Sequence, residues 1–506
     1  MTKTILLGLD GASWIILDRF IKDSTMPTLK NLVEKGVKAK LISPLPHSSN
    51  TSWTTLFTGV NAGKHGVPHH IVGGKKELPS IWKIISDNGL KSVVVGDPTS
   101  FPTDKINGIS LSGGFAVPPD SKNYAFPTEI INEIQNFDSK FKPCLKENTM
   151  KKVENGNKKD FLLDLITYTN STTKVALNLA RTHKWSLFVT IVESTDWLHH
   201  FLWNDEQLLK KFYENLDTIL MEFSKLATDT KANLIIVSDH GFDSVEKHFL
   251  VNSWLREANL TSFGKPGKLR KFLSKIQIKR SFLRKTLSKL HLRNFASKIT
   301  TSELKKIIPL EEDEHGYIQD SSEAFSEAYN EITINVEDPI RYENLRDEII
   351  DKLLQLSDNG KKVILEAHKR EEIFHGPYVK RAFDIQFLPN IGYCWSPSIK
   401  DKYIIKSDEF ESYRTGDHRP EGVFLAIGPD IVEGKNLVNP IKMWDVAPTI
   451  LHMLDQQIPD YVDGKVVKEI FHLNSALRKK QISIKNESEK DFIKRRISQS
   501  QNSLKL

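Results

Sequence analysis

The chain has 506 residues, 39% of them apolar and 27% charged, a make-up that excludes disordered and fibrous classes. Its two cysteines, Cys144 and Cys394, are too few for a disulfide framework. The net charge of +7 is uneven: Lys265–Lys298 carries twelve Lys or Arg and no Asp or Glu, which leaves the rest mildly acidic at −5.

The run Thr4 to Leu9 reads as a first strand ending at Asp10, too short for the apolar region of a secretory signal. No apolar run approaches the ~20 residues of a membrane span, so the expected location is the cytoplasm. MPTLKNLVEKG places Leu29, Leu32 and Val33 at helical spacing and stops at Gly36. IWKIISDNG and LKSVVVGDP repeat the helix-to-strand pattern, the strand ending at Asp97. A long helical pattern, FLLDLITYTNSTTKVALNLARTH, leads into the strand SLFVTIVE, and KFYENLDTILMEFSKLATDT leads into LIIVSDH. Near-continuous apolar strands separated by helices predict a mostly parallel central sheet with helices on both faces, an α/β fold.

From about Leu255 to Asp338 the pattern changes. Leu269, Phe272, Ile276, Leu283, Leu287 and Leu290 alternate with cations and predict a basic amphipathic helical insert or cap. LRDEIIDKLLQL, GVFLAIGPDI and DVAPTILHMLDQ then resume the helix and strand pattern. The expected organisation is a catalytic core over 1–255 and 340–475, an insert over 256–339, and a charged mobile tail over 476–506.

Candidate ligands gather at strand ends, where α/β enzymes carry their chemistry. Asp10 closes the first strand, and Asp239 and His240 close LIIVSDH. Asp196 and His200 follow SLFVTIVE four residues apart, on one face if they share a helical turn. His418 lies in TGDHRPEG, just before a strand. Three Asp and three His supply oxygen and nitrogen ligands suited to Zn²⁺ or Mn²⁺ rather than thiolate chemistry. Alone, a strand-terminal Asp is more often a cap or surface residue than a ligand, an Asp-x-x-x-His pair is common on solvated helices, and His418 could be a loop histidine; together, each at an expected strand end, they favour a metal site. A nucleophile is on offer in PLPHSSNTSWTTLFTG, where Ser48, Ser49, Thr51, Ser52, Thr54 and Thr55 crowd the start of a predicted helix. There a hydroxyl can be an N-cap, or it can attack phosphorus beside a divalent cation.

In order, the segments LLGLDGASW, MPTLKNLVEKG, SSNTSWTTLFTGVNAGKHGV, ESTDWLHH, VSDHGF and GDHRPEGVFLAIGPDI resemble the alkaline phosphatase superfamily, and most of all its type I phosphodiesterase/nucleotide pyrophosphatase branch. The matching blocks cover roughly 1–255 and 375–470. The resemblance implies an alkaline phosphatase-like fold and a two-metal phosphoesterase that cleaves phosphodiester or pyrophosphate-type, nucleotide-like substrates through a phosphoserine. It places Asp10, Asp239 and His240 on one metal together with the nucleophile, and Asp196, His200 and His418 on the other. The nucleophile falls on Ser49, with Ser48 and Thr51 as fallbacks. Zinc is the metal implied, manganese the alternative. Where nucleotide pyrophosphatases place an Asn three residues after the nucleophile, this chain has Ser52; Asn50 and Ser52 are the candidate substrate-binding residues. Ser49 is not followed by the x-Pro-x-Arg of sulfatases, which argues against sulfate esters. His199 is a second-choice ligand, and His65 is read as structural.

Two rival readings stand beside this one. A phosphomonoesterase or phosphate-transferring mutase would keep the metals and change the reaction. A peripheral membrane-binding protein would act through residues 265–298 on an anionic lipid surface. Aromatic residues in that stretch are sparse, so nucleic acid is not expected as a partner. The remaining partner implied is a small phosphorylated substrate.

Overall fold

The computed structural model describes residues 2–68, 76–118, 121–145, 148–264, 317–318, 321–327, 329–410 and 413–486. The chain forms two compact units, one of residues 1–245, 370–382 and 411–506, the other of residues 246–369 and 383–410. The basic stretch Lys265–Lys298 lies outside the described residues.

The first unit is built on a ten-stranded sheet. Its centre is β1 (Thr4–Leu9), flanked by β6 (Leu187–Val192) and β7 (Asn233–Val237), both parallel to it. Beyond β6 come β3 (Ser92–Asp97) and β4 (Gly108–Ser112), also parallel, and the short antiparallel β5 (Ala125–Phe126). Beyond β7 the strand Glu421–Ile427 runs antiparallel and separates β7 from β2 (Val37–Ile42). Alternate residues of each central strand enter opposite cores, as period-two geometry requires. Ile5, Leu7, Phe188, Leu234 and Ile236 pack on the face covered by helices Trp14–Lys22, Pro27–Lys35, Lys158–Thr182 and Glu206–Thr230. Leu6, Val189, Ile235 and Val237 pack on the face covered by Ser49–Thr58, Ile81–Asp87 and Val446–Met453. Both faces are buried, which is why these strands read as unbroken apolar runs.

Helix Pro27–Lys35 takes its N-terminal cap from a distant helix. The Asp217 carboxylate accepts from Thr28 N at 3.0 Å and Leu29 N at 2.9 Å, so an anion meets the unpaired N–H groups of a helix start.

The second unit is larger than the insert expected over 256–339, since it also takes in 340–369 and 383–410. Among its described residues is a four-stranded antiparallel sheet of Ala324–Phe325, Glu331–Ile334, Ile385–Pro389 and Ile364–Lys369. Leu345, Ile349 and Leu353 of helix Pro339–Gln355 share its core with Ile332, Ile364, Ile385 and Phe387. Inside that sheet Gln386 Nε2 donates to the fully buried Glu331 at 3.0 Å, and burial pushes the Glu331 carboxyl up to about 8. The segment expected to be tail from 476 is folded further than composition indicates: Ile484–Lys485 pairs in parallel with Ile458–Pro459. No helix among the described residues is long and apolar enough to cross a membrane.

Candidate metal centre

The carboxyl ends of β1, β6 and β7 lie side by side, and each delivers polar residues to the same edge. Asp10 directly follows β1, Asp196 lies in the first turn of helix Ser194–Leu202 after β6, and Asp239 and His240 follow β7. His418 reaches that edge differently, because the strand it precedes is antiparallel: its amino end coincides with the carboxyl ends of the others. His418 sits on Gly416–Arg419, which pairs with Gly241–Ser244 at the start of strand β8 (Gly241–Leu250), immediately beyond His240. Ser49 is the first residue of helix Ser49–Thr58, which follows β2.

The six ligand candidates and Ser49 come together. Asp10, Asp239 and His240 present ligand atoms within 4.8 Å of one another. His418 Nε2 lies 3.1 Å from Asp196 Oδ1 and 3.0 Å from His200 Nε2, and His200 Nε2 lies 3.5 Å from Asp196 Oδ1. His240 Nε2, 4.0 Å from Asp196 Oδ1, joins the two trios. Ser49 Oγ is 3.2 Å from Asp10 Oδ1 and 3.3 Å from His240 Nε2. Ser48 and Thr51 face each other instead, at 3.2 Å, so Ser49 is the hydroxyl turned towards the cluster. Of the two candidate substrate-binding residues, Ser52 is fully buried with its hydroxyl 2.8 Å from Ser43 Oγ, and Asn50 is buried in the same helix.

The outer contacts of the imidazoles fix their tautomers. His200 Nδ1 donates to Gly416 O at 3.1 Å, His240 Nδ1 to Gly241 O at 3.2 Å, and His418 Nδ1 to His47 O at 2.6 Å. Carbonyls only accept, so every Nε2 is left for the cluster, the arrangement that metal-ligating histidines adopt. Without a cation, two lone pairs facing at 3.0 Å would repel. A proton on His418 Nε2 relieves this, and although burial opposes its charge, Asp196 holds the His418 pKa above the ordinary range. Burial first, then Arg414 and His418, pulls His200 well below the ordinary value, and burial with His418 does the same to His240.

The carboxylates also fit cations. Burial, reinforced by Asp239 and Asp196, raises Asp10 well above the ordinary carboxylate range, and burial pushes Asp239 up to about 7. Asp239 Oδ1 accepts from Gly11 N at 3.0 Å, while its buried Oδ2 accepts no hydrogen bond. Converging acids that burial disfavours as anions, one with an unsatisfied oxygen, are what a divalent cation stabilises.

Sequence reasoning missed several supporting residues. Trp53 Nε1 donates to Asp10 Oδ2 at 2.9 Å, and its ring fits because residue 8 is glycine: a Cβ there would stand 2.5 Å from it. Its signal was its place one helical turn after Ser49. Asp417, beside His418, brings a carboxylate within 4.8 Å of the His200 and His418 ring nitrogens. Two histidines have other partners. His199 donates from Nδ1 to Gly11 O at 3.0 Å, and its Nε2 lies 2.7 Å from Tyr213 OH, so it braces the Asp10–Gly11 turn. His65 Nε2 is 2.9 Å from Thr55 Oγ1, and its Nδ1 accepts from Val67 N at 3.2 Å, a tie between the serine helix and the segment that follows it.

The family model for type I phosphodiesterase/nucleotide pyrophosphatase matches residues 4–418. In fold the chain is similar to murine ectonucleotide pyrophosphatase/phosphodiesterase 5, at 16% identity and a TM-score of 0.51, covering 93% of this chain and 100% of that one. The human ectonucleotide pyrophosphatase/phosphodiesterase 5 gives 16% identity and 0.52, covering 94% and 100%. Phosphonoacetate hydrolase from Sinorhizobium meliloti 1021 gives 16% and 0.50, covering 88% and 94%. No curated protein matches the chain in sequence.

Proposed function

The chain belongs to the type I phosphodiesterase/nucleotide pyrophosphatase family and is a hydrolase, and from that premise we propose that it cleaves phosphodiester or pyrophosphate-type, nucleotide-like substrates through a phosphoserine on Ser49. The observation that carries this reading is the position of Ser49 Oγ, 3.2 Å from Asp10 Oδ1 and 3.3 Å from His240 Nε2, at a helix start. Asp10, Asp239 and His240 would hold one divalent cation, and Asp196, His200 and His418 a second; zinc suits this oxygen and nitrogen set, with manganese the alternative. When bound, the cations supply Lewis acidity that offsets charge on the phosphoryl oxygens and favours an ionised hydroxyl.

The chain's own residues do the rest. With the single lone pair of His240 Nε2 directed at the cation, Asp10 Oδ1 is the acceptor in reach of the Ser49 proton, and the serine oxygen keeps a lone pair for phosphorus. The first N–H groups of helix Ser49–Thr58 add positive potential where the phosphoryl charge grows. Attack by Ser49 Oγ forms the Ser–O–P bond as the leaving oxygen departs, and water then breaks that bond and returns the serine. The test is turnover of bis(p-nitrophenyl) phosphate and p-nitrophenyl phosphate with Zn²⁺ or Mn²⁺. Ser49→Ala is expected to lower kcat by about 10³-fold or more while the protein still binds cation. Full activity in Ser49→Ala, or no hydrolysis by the wild type, would overturn the reading.

A further inference from the structure

Phe242 is fully buried at the start of β8, where the strand pairing sets it opposite His418. Its side chain carries no polar atom, yet the ring lies against imidazoles of both candidate cation trios. Its centroid is 4.8 Å from that of His200 at an interplanar angle of 76°, and 5.0 Å from that of His418 at 71°. His240, from the other trio, stands at 5.7 Å and 47°. The phenyl ring is itself held on further sides. Trp203 stacks on it at 6.1 Å and 27°, and His199, which braces the Asp10–Gly11 turn, lies at 5.1 Å. That turn admits the ring because residue 11 is glycine at φ +65°: a Cβ there would stand 2.6 Å from the nearest phenyl carbon.

The Nδ1 hydrogen bonds of His200, His240 and His418 hold one edge of each imidazole. A single such bond leaves the ring able to pivot, and χ2 of histidine is a broad torsion. A second contact is needed to fix the ring plane and, with it, the direction of the Nε2 lone pair. Edge-to-face contact with Phe242 supplies this for His200 and His418, and a tilted contact does so for His240. The same ring floors the cluster with apolar surface, and a hydrophobic shell controls water access and dielectric at a metal site. Resting on the two-cation reading, we propose that Phe242 is a positioning residue shared by both cation sites, its ring setting the planes of His200, His240 and His418 and so the affinity of both sites at once.

The test is calorimetric titration of Zn²⁺ and Mn²⁺ into EDTA-treated full-length protein, well below its cation-free Tm. Wild type is compared with Phe242→Leu and Phe242→Met, which stay apolar but lose the flat ring, and with His200→Ala. Both Phe242 variants are expected to bind at two sites, each weakened about 10–100-fold. His200→Ala, which removes one ligand, should weaken one site far more than the other. Visible absorption of bound Co²⁺, which reports ligand geometry, should shift in the Phe242 variants, a change that lost packing alone would not produce. Affinities within about twofold of wild type in both Phe242 variants would overturn the proposal, as would a loss confined to one site or an unshifted Co²⁺ spectrum. A wild type that binds no cation sinks the two-cation reading and this inference with it. A wild type that binds two, with indifferent Phe242 variants, sinks this inference alone.

Discussion

Trp53 donates its indole N–H to Asp10 Oδ2 at 2.9 Å while Ser49, one helical turn earlier, stands 3.2 Å from Asp10 Oδ1. One carboxylate is gripped at both oxygens by one face of one helix, so the rotation of Asp10 and the aim of the serine are set together.

Removing only the indole donor tests this coupling. Trp53→Phe keeps most of the ring packing but frees Asp10 Oδ2, and outer-sphere losses of this kind lower metal affinity or activity about 10–100-fold. The expected outcome is weaker cation binding by calorimetry and lower kcat, with far-UV circular dichroism unchanged. Wild-type affinity and turnover in Trp53→Phe would show that packing alone orients Asp10.

Chelation should weaken the fold as well as stop turnover. A cation that binds only the folded state stabilises it by about 4 kcal/mol at a thousandfold excess over Kd, so Tm should rise by several degrees when Zn²⁺ or Mn²⁺ is restored to EDTA-treated protein. Asp239→Asn, which removes a buried charge, should be no less stable than wild type without cation and should lose most of the response to added cation. A Tm indifferent to EDTA would count against a cation at this edge.

The second unit has its own pH signature. Glu331 is buried and pushed up to about 8, above its ordinary 4.5. An acid whose folded pKa is raised contributes stability that is fully present below about pH 4.5 and is lost as pH rises through about 8. Glu331→Gln should remove that slope and be the more stable protein at pH 9, by on the order of a few kcal/mol. Urea melts of both proteins at pH 5, 7 and 9 make the comparison; parallel curves would refute it.

Asp217 offers a control that affects stability without touching the site. Asp217→Ala strips the cap from Thr28 N and Leu29 N and should lower stability by about 1–2 kcal/mol, read by chemical denaturation, with kcat unchanged.

Much of this architecture was legible beforehand, for a definite reason. Residues such as Leu234–Val237 are apolar because both faces of the sheet are covered, so strand positions and the Asp or His at their ends stand out locally. The second unit was less legible: Glu331–Ile334 and Ile385–Pro389 pair across some fifty intervening residues, as Glu331 with Gln386 and Ile332 with Ile385, and no local period announces such a pairing.

What the amino-acid order determined by itself was the alternation of strand and helix and the chemical identity of the candidate ligands, because both are written within a few consecutive residues. Which hydroxyl faces Asp10, which of two adjacent histidines joins the cluster, and where an indole donor comes from were decided only by tertiary structure. Successive helical residues point about 100° apart, so the docking of Ser49–Thr58 and Ser194–Leu202 against the sheet edge selects Ser49 over Ser48 and Thr51, and His200 over His199.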